Sequence, residues 1–176
     1  MTRPLIMGVE DLVIFIPIDL NTYGAGIDSL IEDVIDHHQK AGFGTFLLAG
    51  PSKGWRNVGY PSRDEFKQIA TDILKLKEGV RGYDIRLGWW NTLTLKSGPA
   101  GFQRVVYVDG QACPTSTCPL DQGFQERFSG DVACVAELAE PELIIFEDDY
   151  GLNCHGGAAC FCDLHLRFFA QRIGRF

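Results

Sequence analysis

The chain has 176 residues, the length of one domain, and 45% of them are hydrophobic against 22% charged, as in ordinary globular proteins. A net charge of −7 argues against a nucleic acid or an anionic membrane as partner, because both carry negative charge. Neither a signal peptide nor a membrane-spanning apolar run is visible, so we expect a cytoplasmic protein. The six cysteines are then expected to be free thiols or metal ligands rather than disulfides.

The first half of the chain predicts two strand–helix units. Leu12–Leu20 is rich in β-branched residues, which is typical of a buried strand, and apolar residues recur at helical spacing in Ile27–Ala41. A second strand is predicted at Thr45–Ala49. The next helix begins after Ser62, whose side chain and that of Glu65 predict a capping box, and it runs to about Lys77.

The second half predicts two further units around a long insertion. The predicted elements are a strand within Tyr83–Leu93, a helix at Asp121–Ala139, a strand at Leu143–Glu147 that is buried on both faces, and a helix at Asp163–Ile173. The connection Thr94–Pro119 is too long for a simple loop and is therefore expected to build a site. It contains a predicted hairpin strand at Arg104–Val108, with Asp109-Gly110 as the turn.

Strands and helices thus alternate four times, which predicts an α/β fold with a parallel sheet. Two architectures fit: a doubly wound sheet, or a (βα)4 half of a (β/α)8 TIM barrel with a long insertion after the third strand. The turn after the first strand lacks the glycine spacing of a dinucleotide site. We expect a single domain over residues 1–176 that is a fragment of a longer chain.

A cluster of soft metal ligands follows the fourth strand. Cys160-x-Cys162-x-x-His165 places two thiols and an imidazole within six residues, and zinc prefers such ligands in tetrahedral sets. Cys118 or Cys113 could supply the fourth ligand, and Cys118 is preferred because its position is fixed directly before a helix. Four protein ligands would make the zinc structural. The alternative is that these thiols are merely buried or that one pair is oxidised.

Acidic residues stand directly after the fourth strand. Glu147, Asp148 and Asp149 lie where parallel strands end, which is where α/β proteins gather their chemistry. One of these carboxylates could act as a general acid with a raised pKa, and the alternative is a solvated acidic turn. The carboxyl ends of the parallel strands form one rim of the sheet. At this rim the third strand ends in three candidate substrate-binding residues, which are Trp89, Trp90 and Asn91.

These motifs together resemble one known family. Asp148-Asp149-Tyr150-Gly151, followed by the cysteine cluster and Phe168, resembles the N-E-Y-G and C-Y-C-x-x-C segment of glycoside hydrolase family 42, the β-galactosidases of clan A. Cys118-Pro119 resembles the C-P-N-S-P element of the same family. The resemblance covers about residues 104 to 173.

The resemblance implies an eight-fold βα barrel that hydrolyses β-glycosides with retention of configuration. The zinc ligands would be Cys118, Cys160, Cys162 and His165, with His165 replacing a cysteine of the family. The acid/base position falls on Asp149, which replaces a glutamate and is one methylene shorter. The preceding Asp148 stands at the family's asparagine, and the nucleophile is expected outside this chain.

Our expectation is therefore a zinc-containing glycosidase with a carbohydrate substrate. Asp149 is the expected proton donor, and Asp148 is expected to contact a sugar hydroxyl. Glu147 is the alternative candidate for the proton donor. Two alternatives remain: a non-catalytic carbohydrate-binding pseudo-enzyme barrel, and a metal-dependent sugar isomerase or aldolase. A half barrel has two open sheet edges, so a homo-oligomer that closes the barrel is also expected, or else aggregation.

Overall fold

The computed structural model describes residues 15–20, 26–51, 59–96, 101–147 and 159–174. The strands in these ranges are β1 (Ile16–Asp19), β2 (Thr45–Gly50), β3 (Arg86–Asn91), β4 (Arg104–Val106), β5 (Ala112–Thr117) and β6 (Ile144–Phe146). The helices are α1 (Ile27–Ala41), α2 (Arg63–Gly79), α3 (Gln122–Ala139) and α4 (Asp163–Ile173). None of these helices combines the length and the apolar character needed to span a lipid bilayer.

Strands β1, β2, β3 and β6 form one parallel sheet, and their order in the sheet is their order along the chain. The predicted α/β fold with four alternating strand–helix units is confirmed. Gly88 allows the close approach of β3 to its neighbours, since a Cβ there would lie 2.7 Å from the carbonyl oxygen of Leu143. Strands β4 and β5 pair with each other as a separate antiparallel hairpin in the long insertion.

The helices α1, α2 and α3 share one apolar core with alternate residues of the strands. The strand residues of this core are Ile18, Phe46, Leu48, Leu87 and Trp89, with Ile16 and Ile144 packed at its border. Residues between them, such as Leu47 and Ala49, point to the opposite face because successive side chains alternate along a strand. The three helices therefore pack against the same face of the sheet.

Local sequence explains where the helices begin and end. The α2 capping box is complete: the Ser62 side chain accepts a hydrogen bond from the Glu65 backbone, and the Glu65 carboxylate accepts one from the Ser62 backbone. The α1 helix ends at Gly42, which adopts φ 73, a left-handed conformation that glycine takes without strain. The Asp121 side chain caps α3 by accepting a hydrogen bond from the backbone N–H of Phe124.

The strand boundaries differ more from the predictions than the helix boundaries do. Within the described residues the first strand covers Ile16–Asp19, while residues 12–14 of the predicted strand lie outside them. The prediction that the fourth strand is buried on both faces is wrong. This strand, β6, is an outer strand of the described sheet, so Ile144 and Ile145 are half-buried and Phe146 is exposed. The predicted hairpin is confirmed, with β4 ending at Val106 and Gly110 in the turn.

A buried carboxylate joins the two largest helices. Asp131 on α3 is fully buried and accepts hydrogen bonds from Arg63 at 2.5 Å, Arg127 at 2.7 Å and the Tyr60 hydroxyl at 3.2 Å. Arg63 is the first residue of α2, so this network fixes the start of α2 against the middle of α3. A buried carboxylate group is costly unless such partners satisfy its oxygens with hydrogen bonds.

We expect Asp131→Asn to lower the free energy of unfolding by about 2–3 kcal/mol, because charge-assisted hydrogen bonds are lost. Urea denaturation followed by circular dichroism would measure this. The matched control is Asp36→Asn, which removes an exposed ion pair with Lys40 on α1 and should leave the midpoint nearly unchanged. Equal effects of the two substitutions would contradict the role of Asp131.

Candidate metal centre

The first residue of the site, Cys118, lies at the end of the insertion after β3. Cys118 follows β5 directly, and its backbone N–H donates to the carbonyl of Gln103 at 2.7 Å. Its own carbonyl accepts from the backbone N–H of Asp121, the residue that caps α3. Cys118 is therefore held between the end of the hairpin and the start of a helix, both of which have fixed positions.

The other three residues, Cys160, Cys162 and His165, lie at or just before the start of α4. Cys162 is the N-cap of this helix, and His165 lies in its first turn. The backbone N–H of Phe161 donates to the carbonyl of Val106 at 2.8 Å, and the N–H of Val106 faces the Cys160 sulfur at 3.4 Å. The segment before α4 is thus attached to β4, which brings it to the hairpin that carries Cys118.

These four side chains converge on one point. The ligand atoms of Cys118, Cys160, Cys162 and His165 all lie within 4.8 Å of one another, and they form a group that could hold a metal ion. The Cys118 sulfur is 3.6 Å from the Cys162 sulfur and 3.3 Å from Nδ1 of His165. The Cys162 sulfur is 3.4 Å from the same nitrogen. The Cys3His group contains the four residues predicted from the sequence.

Burial governs the electrostatics of this group. Burial raises the pKa of the Cys118 thiol to about 12 and also raises the pKa of Cys160, because a thiolate there loses its hydration. Burial opposes ionisation of Cys162 as well. Hydrogen bonds, first from the His165 backbone and then from the neighbouring thiols, nevertheless lower its pKa. Burial lowers the pKa of His165, which favours the neutral imidazole that binds metals.

The surroundings of the group are apolar. Its three cysteines form a second buried cluster with Val105 and Cys113, bordered by Val106, Tyr107, Leu120 and Leu164. Cys113 lies outside the Cys3His group, with its sulfur 3.6 Å from the Thr115 hydroxyl. The contacts that sequence reasoning missed are those of Val106. They are made by backbone atoms, which leave no signal in the residue types.

The predicted acidic rim lies only partly within the described chain. Asp148 and Asp149 are outside the described residues. Glu147 is half-buried after β6, and its backbone N–H donates to the carbonyl of Asn91 at 3.0 Å. The Asn91 side chain is fully buried; its oxygen accepts from the N–H of Leu93, and its Nδ2 has no hydrogen-bond partner in the described structure.

The two tryptophans at the end of β3 occupy different environments. Trp89 is fully buried in the core beneath the helices, and its indole N–H donates to the carbonyl of Gly50 at 2.9 Å. Trp90 is half-buried, and its side chain points to the opposite face of the sheet because neighbouring residues on a strand alternate. Of the pair, only Trp90 keeps surface that a ligand could reach.

A comparison with protein-family models and with curated proteins found no match to this chain.

We expect Cys118→Ser to lower the content of bound metal from about one ion per chain to a small fraction of that value, because one of four ligands is lost. The thermal unfolding midpoint should fall with it, since metal binding contributes to folding. Elemental analysis and differential scanning calorimetry would measure both effects. The control is Cys134→Ser on α3, outside the group, which should retain its metal. Full metal content in Cys118→Ser would rule out the Cys3His site.

Proposed function

We propose that the chain is half of a (β/α)8 barrel and that a structural zinc ion stabilises it. We propose further that it supplies the general acid/base residue of a β-glycoside hydrolase of β-galactosidase type. One observation carries the proposal. The Cys3His group connects the loop after β3 to the loop after β6, and parallel β/α sheets hold their active sites on such loops. The metal would therefore fix the two loops that border the acidic rim.

Zinc is the metal that the ligand set favours. Thiolates at about 2.3 Å and imidazole at about 2.0 Å from a tetrahedral zinc imply S···S and S···N distances of about 3.8 Å and 3.5 Å. The sulfur atoms of Cys118 and Cys162 are 3.6 Å apart, and each lies 3.3–3.4 Å from Nδ1 of His165, which is close to the distances in such a tetrahedron. Four protein ligands leave no open position, so this zinc is structural and the chemistry belongs to other residues.

Two features of the fold support a half barrel over a doubly wound sheet. The strands follow one another in the order β1-β2-β3-β6, whereas a doubly wound sheet reverses its strand order at a switch point. In addition, α1, α2 and α3 share one core on the same face of the sheet. A barrel carries its helices on one outer face, while a doubly wound sheet carries them on both.

The acid/base role is proposed for Asp149, which follows the last residue of β6 by three positions in the sequence. The backbone bond between Glu147 and Asn91 ties the start of this acidic segment to the end of β3. Asp149 would protonate the glycosidic oxygen, and Asp148 would accept a hydrogen bond from a sugar hydroxyl. Trp90, which is half-buried, is the aromatic residue proposed to contact the sugar, because Trp89 is fully buried in the core.

Retaining hydrolysis needs a second carboxylate about 5–5.5 Å from the first, and it would come from the other half of the barrel. A second candidate function is a non-catalytic carbohydrate-binding barrel. The observation that favours it is an aspartate at position 149, where the family that the sequence resembles has a glutamate. The shorter side chain reaches less far towards the glycosidic oxygen.

We expect Asp149→Asn to reduce hydrolysis of an aryl β-galactoside at least about 100-fold in the zinc-loaded barrel that contains both halves, because a general acid contributes about 10²–10⁴ in rate. Steady-state release of the aryl alcohol would measure this. The matched control is Asp64→Asn on the exposed surface of α2, which should leave turnover unchanged.

Unchanged turnover in Asp149→Asn would eliminate its assignment as the acid. If the unsubstituted protein binds galactosides in calorimetry but does not hydrolyse them, the carbohydrate-binding function is correct instead.

A further inference from the structure

Two cysteines of the Cys3His group come from distant parts of the chain and lie close together. Cys118 follows the β4–β5 hairpin, whereas Cys162 is the N-cap of α4, 44 residues further along. Their sulfur atoms are 3.6 Å apart. A disulfide bond holds two sulfurs about 2 Å apart, so rotation of the two side chains has to close a gap of only about 1.5 Å. This close pair, Cys118 and Cys162, is therefore placed for a disulfide as well as for metal binding.

The other described cysteines have different surroundings. Cys160 belongs to the same group, but its sulfur faces the backbone N–H of Val106 at 3.4 Å, which holds it against β4. The Cys113 sulfur faces the hydroxyl of Thr115 at 3.6 Å, and Cys113 lies outside the group. Cys134 lies on α3, also outside the group. Among the described cysteines, the close pair is thus the one best placed for oxidation to a disulfide.

The two members of the close pair differ in their access to solvent. Cys118 is fully buried, whereas 4% of Cys162 is exposed, and the adjacent His165 is half-buried. The group therefore opens to solvent on the side of α4. A hydrogen peroxide molecule is little larger than water, so we expect it to reach the Cys162 sulfur first. Cys118, which is shielded from solvent, is then the resolving thiol that completes the disulfide.

The expected chemistry is a two-electron oxidation by peroxide. The Cys162 thiolate attacks one peroxide oxygen, the O–O bond breaks, and a sulfenic acid and a hydroxide ion form. The Cys118 thiolate then attacks the Cys162 sulfur, which forms the S–S bond and expels a second hydroxide ion. In sum, two thiolates lose two electrons, and one hydrogen peroxide is reduced to two hydroxide ions. Cysteines that serve as metal ligands are already thiolates, and the thiolate is the nucleophile in both steps.

We propose that Cys118 and Cys162 are a redox-active pair, which a peroxide converts to a disulfide and a thiol reductant restores to two metal ligands. In the oxidised form only Cys160 and His165 remain as ligands, and two ligands are too few to retain the ion. Metal binding and oxidation, which the sequence offers as alternatives for these thiols, are then two states of one site. The inference rests on the proposed metal centre and not on the hydrolytic role of the acidic residues.

The disulfide joins the same two segments that the metal would join. It links the end of the β4–β5 hairpin to the start of α4, so the loop after β3 stays attached to the loop after β6. Oxidation therefore exchanges one connection for another. The oxidised, metal-free protein should consequently unfold at a higher temperature than the reduced, metal-free protein, because a cross-link restricts the unfolded chain.

The first test treats the reduced, zinc-loaded protein with hydrogen peroxide. We expect the release of about one zinc ion per chain, which a chromogenic chelator would measure. After acid quenching and alkylation in denaturant, mass spectrometry of peptides should find Cys118 linked to Cys162, while Cys113 and Cys134 carry the alkyl group of a free thiol. Treatment with dithiothreitol and zinc should restore the original metal content.

The second test compares two variants that each lack one metal ligand. In metal-free Cys160→Ser the close pair is intact, so peroxide should still form the disulfide and raise the unfolding temperature. Metal-free Cys162→Ser lacks one member of the pair and should show neither effect. Because both substitutions remove a ligand, a difference between them is due to the pair and not to the loss of metal. Circular dichroism of the reduced variants would establish that both are folded.

Several outcomes would overturn the proposal. They are a disulfide between other cysteines, zinc that stays bound during peroxide treatment, a sulfinic acid at Cys162 without a disulfide, and equal behaviour of the two variants. If the reduced protein binds no zinc, the proposed metal centre fails, and peptide mapping of the metal-free protein still decides whether the pair is redox-active. None of these measurements uses a glycoside, so they are independent of the Asp149→Asn result.

Discussion

The Cys3His group is the contact on which the insertion and the last helix depend. It joins the end of the β4–β5 hairpin to the start of α4, alongside the backbone hydrogen bond from Phe161 to Val106. Burial opposes ionisation of Cys118 and Cys160, as the raised pKa of each thiol indicates. A bound cation would reverse this preference, because it stabilises the thiolates directly. Without a metal these two thiols stay protonated, whereas a bound cation would favour their thiolates.

The molecule has two clusters of buried residues that differ in size and in composition. The larger one is an ordinary apolar core between the sheet and three helices, with the buried Asp131 network at its edge. The smaller one consists mainly of cysteines, and Val106, Tyr107, Leu120 and Leu164 pack against it.

Local patterns were enough to predict most of the fold. The α1 and α4 helices match their predicted bounds, because helical spacing and end signals lie within the segment itself. The close spacing of Cys160, Cys162 and His165 was equally visible. Cys118 could be chosen only by assuming that neighbouring loops of a parallel sheet meet.

The features that the sequence could not provide depend on position in the sheet. Whether β6 is central or at the edge is decided by strand order, and a short apolar run looks the same in both places. Trp89 and Trp90 are adjacent and chemically alike, yet the register of β3 sends one into the core and the other to the opposite face. The placement of three helices on one face of the sheet and the exposed apolar side chains of α4 likewise follow only from tertiary packing.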